Sequence, residues 1–419
     1  MLGLRHLPLK YRLPLIHGVL TWLGKLRARG WTPAGAGEPP RPGDFVVSGF
    51  FAESSGIGRG GQLTAQAFKN AGYDIIAHDL RPCFKQIFGR KAVLPGSGGV
   101  WFIHANAPEV LVALLAHDRA AWRDRYRIGY WAWETPKAPA DWLFVADYLH
   151  EIWVPSRFVR DALVTAFRAG GRDDLIVRIR IMPHPVPALS AQASQTYPSA
   201  RQKFGLQEGV CEVLCLFDTK SSAVRKNPWG VTEAWLAAFA TRAPGARLTC
   251  KVSDLSADRA TEQRLLALVR ERSDIRLVQD CFDDRDMAAF IAAFDILISL
   301  HRSEGFGLPL AEAMASGVAV IATGWSGNTD FMTADNSRLI PAVLTPVHDP
   351  EGPYSGLDHD PAQVWADPDP QAAMQALLDL TASPQTRARL AAAARLSIKA
   401  LDLPWQQAAL VDLPFNRFI

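Results

Sequence analysis

Between Asp295 and Gly317 the chain passes through an apolar run, a polar corner, a glycine-rich step and a short helical pattern in immediate succession. Ile296 to Leu300 has the unbroken apolar composition of a parallel strand buried on both faces, and it stops at His301-Arg302-Ser303-Glu304. Pro309 suits a first helical position, where its missing N–H needs no partner. Gly317 suits the residue past the last turn, where a left-handed backbone is tolerated. Val318 to Ala322 is the next apolar run. Strand, turn, helix and strand in this order form the repeat of a parallel sheet covered by its own crossovers, so the fold class is α/β.

The same stretch restricts the ligand. Glu304 lies in the loop at a strand's carboxyl end, and Glu312 about one turn into the helix on the side of that loop, so both carboxylates can reach one ligand. Gly305 and Gly307 keep the backbone bare around Phe306 and Leu308, leaving the N–H groups of the helix start and its dipole open to an anion such as a diphosphate. The carboxylates would repel phosphate and accept instead from neutral hydroxyls. A ligand with sugar hydroxyls on either side of a phosphate is a nucleotide sugar; the plainer alternative is a strand-loop-helix unit whose glutamates are solvated caps.

Glu304, seven intervening residues and Glu312, with Gly-Phe-Gly-Leu-Pro between them, resembles the signature of retaining glycosyltransferases of the GT-B fold, family four. The resemblance implies that Glu304 lies by the donor sugar as a catalytic residue and that Glu312 holds the nucleotide ribose, with Gly305, Phe306, Gly307 and Leu308 around the donor. It also implies two doubly wound Rossmann-like domains facing a cleft. It runs from Gly56 to the tail, and only the Glu304 to Glu312 segment is sharply diagnostic.

A chain of 419 residues exceeds what one core usually supports, which agrees with two domains. A net charge of +3 is small for that size and gives no case for nucleic acid. Cys83, Cys211, Cys215, Cys250 and Cys281 are scattered in apolar contexts without metal spacing, the pattern of buried thiols in a reducing compartment. The expected organisation is a basic amphipathic segment and linker over 1–43, a Rossmann-like acceptor domain over 44–190, a nucleotide-sugar donor domain over 191–402, and a tail over 403–419 that the resemblance sends back across the first domain.

Residues 1–31 mix leucines and Trp22 with Arg5, Lys10, Arg12, Lys25, Arg27 and Arg29, and no acidic residue interrupts them. Such a segment can lie in a membrane interface with its basic side on anionic head groups, each basic residue adding roughly 1 kcal/mol near the surface. Charges and the helix breakers Pro8 and Pro14 exclude a span. A helix packed on the body competes equally. The location expected is cytoplasmic, on the inner face of the plasma membrane if the segment binds lipid. Thr32 to Gly43 reads as a Pro- and Gly-rich linker.

Phe45 to Phe51 reads as a strand and Glu53 to Gly61 as a glycine-rich turn before a helix ending near Asn70. Gly56, Gly58 and Gly61 satisfy G-x-G-x-x-G, a weak pattern alone, and the resemblance sets this turn, with Gly56 and Gly58, toward the donor diphosphate or the acceptor. A nicotinamide-dependent oxidoreductase or epimerase would use the same glycines, with Asp79 on the ribose. That rival leaves Glu304, Glu312 and Lys226 unexplained. A third reading is a non-catalytic nucleotide-sugar-binding partner of other transferases.

Val100 to Ile103 is a strand ending at His104, and ligands of open parallel sheets bind at such ends; related enzymes place a His followed closely by Asn beside the donor sugar, so His104 is a catalytic candidate. Trp131, Trp133 and Glu134 are acceptor candidates, because flat rings stack on sugar faces and a carboxylate orients hydroxyls; core packing is the equal alternative. Past a strand at Val213 to Phe217, Arg225 and Lys226 precede a helix start, where cations would neutralise a leaving diphosphate. The resemblance makes Lys226 the phosphate lysine, while the family's usual Gly-Arg after the strand is Asp218-Thr219 here, with Arg225 as its replacement. Gly327 and Asn328, in the loop after Val318 to Ile321, are donor contacts by the same resemblance. Thr345 to Pro370 reads as mostly loop and Gln371 to Leu401 as helix.

The reaction implied is transfer of a sugar from a nucleoside diphosphate, the co-substrate in place of any cofactor, to a hydroxyl of a glycan or lipid-linked acceptor, with retention of configuration. Surface or exported polysaccharide synthesis is the expected setting. No Asp-x-Asp or histidine cluster stands in the polar loops, so no metal is expected there.

Overall fold

The structure, a computed structural model, describes residues 9–53, 55–186, 197–243 and 245–419. The chain divides into two compact units, Met1–Pro185 with Leu401–Ile419, and Val186–Ala400. The boundary expected at 190/191 lies outside the described residues, as do Arg5 and Pro8 of the basic segment.

The first unit is built on β1 (Phe45–Gly49), β2 (Ile75–Asp79), β3 (Val100–Ile103), β4 (Tyr126–Tyr130), β5 (Glu151–Val154) and β6 (Ile179–Ile181), ordered β2-β1-β3-β4-β5-β6. Every pairing is parallel. Alternate residues serve two cores. Val46, Trp101 and Ile103 join helix Ala107–Ala116 on one face, while Phe45, Val47 and Phe102 join Phe68 of helix Gly56–Asn70 on the other. Trp405, Leu410 and Phe415 of the C-terminal segment complete the second core, with Trp405 Nε1 donating to Pro183 O at 2.7 Å.

The second unit carries β7 (Cys211–Asp218), β8 (Ala246–Ser253), β9 (Ile275–Val278), β10 (Ile296–Ser299), β11 (Ala319–Thr323) and β12 (Arg338–Ile340), ordered β12-β11-β10-β7-β8-β9 and parallel throughout. This is a doubly wound sheet like the first. In each, the winding reverses beside the first strand, between β1 and β3 in one unit and between β7 and β10 in the other. Ligands of open α/β sheets bind outside the carboxyl ends of strands at such reversals.

Several expectations are corrected. Gly56 to Gly61 is not a turn: the helix begins at Gly56, capped by Ser55, whose hydroxyl accepts from Gly58 N at 3.2 Å. Gly58 serves close packing, since a Cβ there would stand 2.3 Å from Glu53 O. The helix Leu9–Arg27 continues through position 14, so Pro14 does not end it; one lost backbone bond is outweighed by packing, and Gly24 lies against Leu111 and Phe144. The expected linker is held down, with Ala34 buried and its N–H donated to Asp147 O at 2.7 Å. The stretch Thr345 to Pro370 holds the end of β13 (Ala342–Pro346) and all of β14 (Val364–Pro368), which form an antiparallel pair. Helix Gln371 to Leu401 is two helices, Pro370–Ala382 and Pro384–Leu401, parted at a proline. Cys281 is exposed, unlike the four other cysteines.

Candidate functional site

In the second unit three strand-end loops are stitched together at the reversal. The loop after β7 ends in the short helix Ala223–Lys226 and in Asn227, which takes a left-handed backbone (φ 50°) and caps helix Pro228–Ala238 through Gly230 N. Asn227 Nδ2 donates to Leu300 O at 2.9 Å, and Arg302 N donates to Arg225 O at 2.7 Å, tying this loop to the one after β10. The loop after β11 closes from the other side. Ser326 Oγ accepts from Glu304 N at 2.8 Å, and Glu304 O accepts from Gly327 N at 2.9 Å. Gly327 must be glycine here, because a Cβ would lie 2.1 Å from Gly305 O.

These bonds hold Glu304 against two cations. Lys226 Nζ is 2.5 Å from Glu304 Oε1 and Arg225 NH1 is 3.3 Å from the same oxygen. Burial alone would raise the Glu304 carboxyl above its ordinary range, but the Lys226 ammonium and Arg225 guanidinium outweigh it and bring the group down to about 2. Arg225 is buried and fixed by donation to Ser303 O at 2.7 Å and to Ser221 O, with Tyr354 beneath its guanidinium. Its position is therefore set by backbone carbonyls, while Lys226 is held at the end of a flexible stem.

Helix Leu308–Ser316 starts behind Gly307 (φ 91°) and ends at Gly317 (φ 78°), both left-handed. Phe306 and Leu308 are buried, Phe306 against Phe331. Glu312 is half-buried in the second turn, its carbonyl taking the Ser316 hydroxyl at 2.7 Å. Asn328 is buried, with Nδ2 donating to Thr323 O at 3.0 Å and Oδ1 unpartnered. His301, Ser303 and Thr323 were not singled out from the sequence. All three are fully buried, and both ring nitrogens of His301, Ser303 Oγ and Thr323 Oγ1 have no hydrogen-bond partner. Burial pushes His301 down to about 4, so the ring is neutral. A cluster of buried, unsatisfied polar atoms at a strand-end loop is the arrangement that a polar ligand completes. Its sequence signal is slight: polar residues directly after an apolar strand.

The first unit's reversal is different. His104 is buried, stacked on Tyr130 with ring centroids 4.4 Å apart, and its Nδ1 meets Thr64 Oγ1 at 3.1 Å. Burial and the neighbouring His184 keep it neutral. A Cβ on Gly60 would stand 2.9 Å from His104 Nε2, while Gly56 has open space around it. Trp131 is fully buried against Trp142 and so belongs to the core, not to an acceptor surface as expected. Trp133 is half-buried and donates to Thr135 Oγ1 at 2.7 Å; Glu134 beside it is also half-buried. Asp79 ends β2 with its carboxylate taking Arg81 N at 2.7 Å. With Phe50 to Ser55 between β1 and the helix, the glycines are not at the strand's end, where a dinucleotide fingerprint needs them.

Residues 233–358 match the family model of the glycosyl transferases of group 1. The matched segment lies wholly within the second unit. The group 1 segment includes Glu304, Glu312, Gly327 and Asn328, and begins just after Lys226. The chain is similar in fold to a glycosyltransferase from Rickettsia africae (TM-score 0.59, 14% identity, covering 90% of this chain and 98% of that one). It is also similar to Alr3699/HepE from Anabaena, solved with UDP-glucose (0.55, 12%, 88% and 100%). A third such structure is the N-terminal domain of Candida albicans trehalose-6-phosphate phosphatase (0.54, 11%, 88% and 88%). These likenesses establish the fold, two Rossmann-like units of the GT-B type. No curated protein matches the sequence.

Proposed function

We propose that the protein is a retaining, metal-independent glycosyltransferase that moves a sugar from a nucleoside diphosphate to a hydroxyl of a glycan or lipid-linked acceptor. The carrying observation is the Lys226–Glu304–Arg225 group at the reversal of the second sheet, among buried polar atoms awaiting partners. A diphosphate competes with Glu304 for Lys226. On donor binding the ammonium passes to the leaving phosphates, and the released Glu304 carboxylate takes a sugar hydroxyl. Arg225, pinned by carbonyls, stays as a fixed positive charge, the preorganised element that stabilises charge developing on the leaving group. Glu312 binds the ribose, and the backbone of Gly305 to Leu308 the phosphates. In the first unit Trp133 and Glu134 are the candidates for holding an acceptor, with Trp131 supporting them from the core.

The test is thermal stabilisation by UDP, GDP, ADP and NAD, with chelator present, in wild type and Glu312→Ala. Nucleotide at a hundred times its dissociation constant adds about 2.7 kcal/mol. One diphosphate should stabilise the wild type and lose that effect in the variant; UDP comes first, since a structural neighbour holds UDP-glucose. Stabilisation by NAD alone would overturn the reading.

The acceptor is proposed to lie at a membrane surface. Tyr11, Leu15, Val19, Trp22 and Leu26 of helix Leu9–Arg27 are exposed. At 3.6 residues per turn they fall within an arc of about 80°. Exposed Lys25 borders that stripe and the helix's other side packs on the first unit. Among the described residues no helix is long and apolar enough to cross a membrane, so the stripe suits an interfacial position on the cytoplasmic leaflet, in surface or exported polysaccharide synthesis. Wild type should sediment with anionic vesicles, and Leu15→Ser with Trp22→Ser should not; equal sedimentation of both would remove this part of the proposal.

A further inference from the structure

Among the described residues the transferase reading leaves one cluster of metal-ligating side chains unused. His78 is the penultimate residue of β2, Cys83 opens the short helix that follows it, and His117 caps the end of helix Ala107–Ala116. Their ligand atoms all lie within 4.8 Å of one another.

We propose that His78, Cys83 and His117 bind a divalent transition-metal ion of the zinc class. The second histidine carries the argument. His117 is 2% exposed, its Nδ1–H is donated to Ala113 O at 2.8 Å, and its buried Nε2 has no partner. A buried acceptor left this way is unfavourable unless something fills it. His78 is arranged alike: its Nδ1 is 2.9 Å from Ser48 Oγ, which already accepts from Trp101 Nε1 at 2.8 Å, so the ring can donate there and keep Nε2 for an ion. Metal-binding histidines characteristically donate their other ring N–H to a fixed acceptor, which sets tautomer and orientation.

The donor set selects the ion class. One thiolate and two imidazoles suit zinc and its neighbours, not magnesium or calcium, which take oxygen. Zinc bonds of about 2.3 Å to sulfur and about 2.0 Å to nitrogen bring ligand atoms to about 3.5 Å apart, so binding draws the three inward by roughly 1 Å. The fourth position is left for water. Burial and nearby Asp79 push the Cys83 thiol up to about 11, so uptake exchanges the thiol proton for the ion. Arg125 faces both histidines and opposes a cation, as Lys91 does at His117, while the Cys83 thiolate, Asp79 and Asp118 favour one.

The full chain is stripped with chelator and titrated with Zn2+ by dialysis, then with Co2+ by absorption. One equivalent should bind, with a thiolate-to-cobalt charge-transfer band. Cys83→Ser should abolish that band, and His117→Gln should weaken Zn2+ binding at least about tenfold. Exposed Cys281 is the control, and Cys281→Ser should change neither. Uptake well below one equivalent, no charge-transfer band in the wild type, or a band that survives Cys83→Ser overturns the proposal. Should Cys83→Ser fail to fold, the wild-type cobalt spectrum and the Cys281→Ser control decide it.

Discussion

The two sheets reverse their winding in the same way, yet the two reversals hold opposite chemistry. At the first, His104 is stacked, hydrogen-bonded and neutral, and Gly60 lets the helix close on it. At the second, a carboxylate stays ionised between two cations among polar atoms that lack partners. Topology supplies the location in both; the side chains that reach it decide whether it is packed shut or left able to take a charged ligand. A strand-end position is thus a necessary feature of a site and not a sufficient one.

The largest effect should follow from Glu304→Ala. Removing one member of a buried ion pair strands the other charge and costs about 3–5 kcal/mol. Sugar transfer should fall at least about a hundredfold. Urea unfolding and donor turnover measure the two. If both stay near wild type, the charged reversal is no more a working site than the neutral one.

Acid should separate the units next. The Glu304 carboxyl keeps its charge in the folded chain down to about 2, against an ordinary 4.5, so its stabilisation is complete above about 4.5 and is lost only as the pH falls from there toward 2. Buried histidines act earlier. Burial holds His150 and His184 down to about 3, so the unfolded chain takes up protons from about 6.5 downward while the folded chain cannot. Both lie in the first unit, whereas His301, at about 4, is the second unit's counterpart among the described residues. Hydrogen exchange followed from pH 7 to 5 should show the first unit losing protection first. Equal loss in both would mean that these histidines are not held neutral as the structure has them.

What the sequence disclosed follows the range of the interactions involved. The strand-turn-helix from Ile296 to Gly317 was legible because strand burial, Pro309 and Gly317 are local signals, and the structure keeps that helix between two left-handed glycines. The meeting of Lys226 with Glu304 across 78 positions was accessible only through the rule that strand ends converge. Where packing overrides local preference the reading failed: the helix passes through position 14 and through Gly56 to Gly61 because neighbours, not propensity, hold it. The β13–β14 pair escaped because its exposed residues, prolines and aspartate look like loop. His78, Cys83 and His117 come from three elements with no motif spacing, so nothing local could group them.

The glycines give the finest test of the contrast. Gly60→Ala would set a methyl 2.8 Å from His184 Cε1 and 2.9 Å from His104 Nε2, inside a packed ring cluster, and overpacking of this kind costs about 1–3 kcal/mol. Gly56→Ala meets nothing within 4 Å in a helical position, so it should stabilise by about 0.4–1 kcal/mol through the unfolded chain. Denaturant midpoints of the two variants should therefore move in opposite directions while nucleotide affinity stays constant in Gly56→Ala. A large loss of nucleotide affinity in Gly56→Ala would return these glycines to phosphate contact and make the first reversal a binding site as well. The expected pair of shifts instead leaves Gly56 without a ligand and assigns Gly60 to closing the helix onto His104.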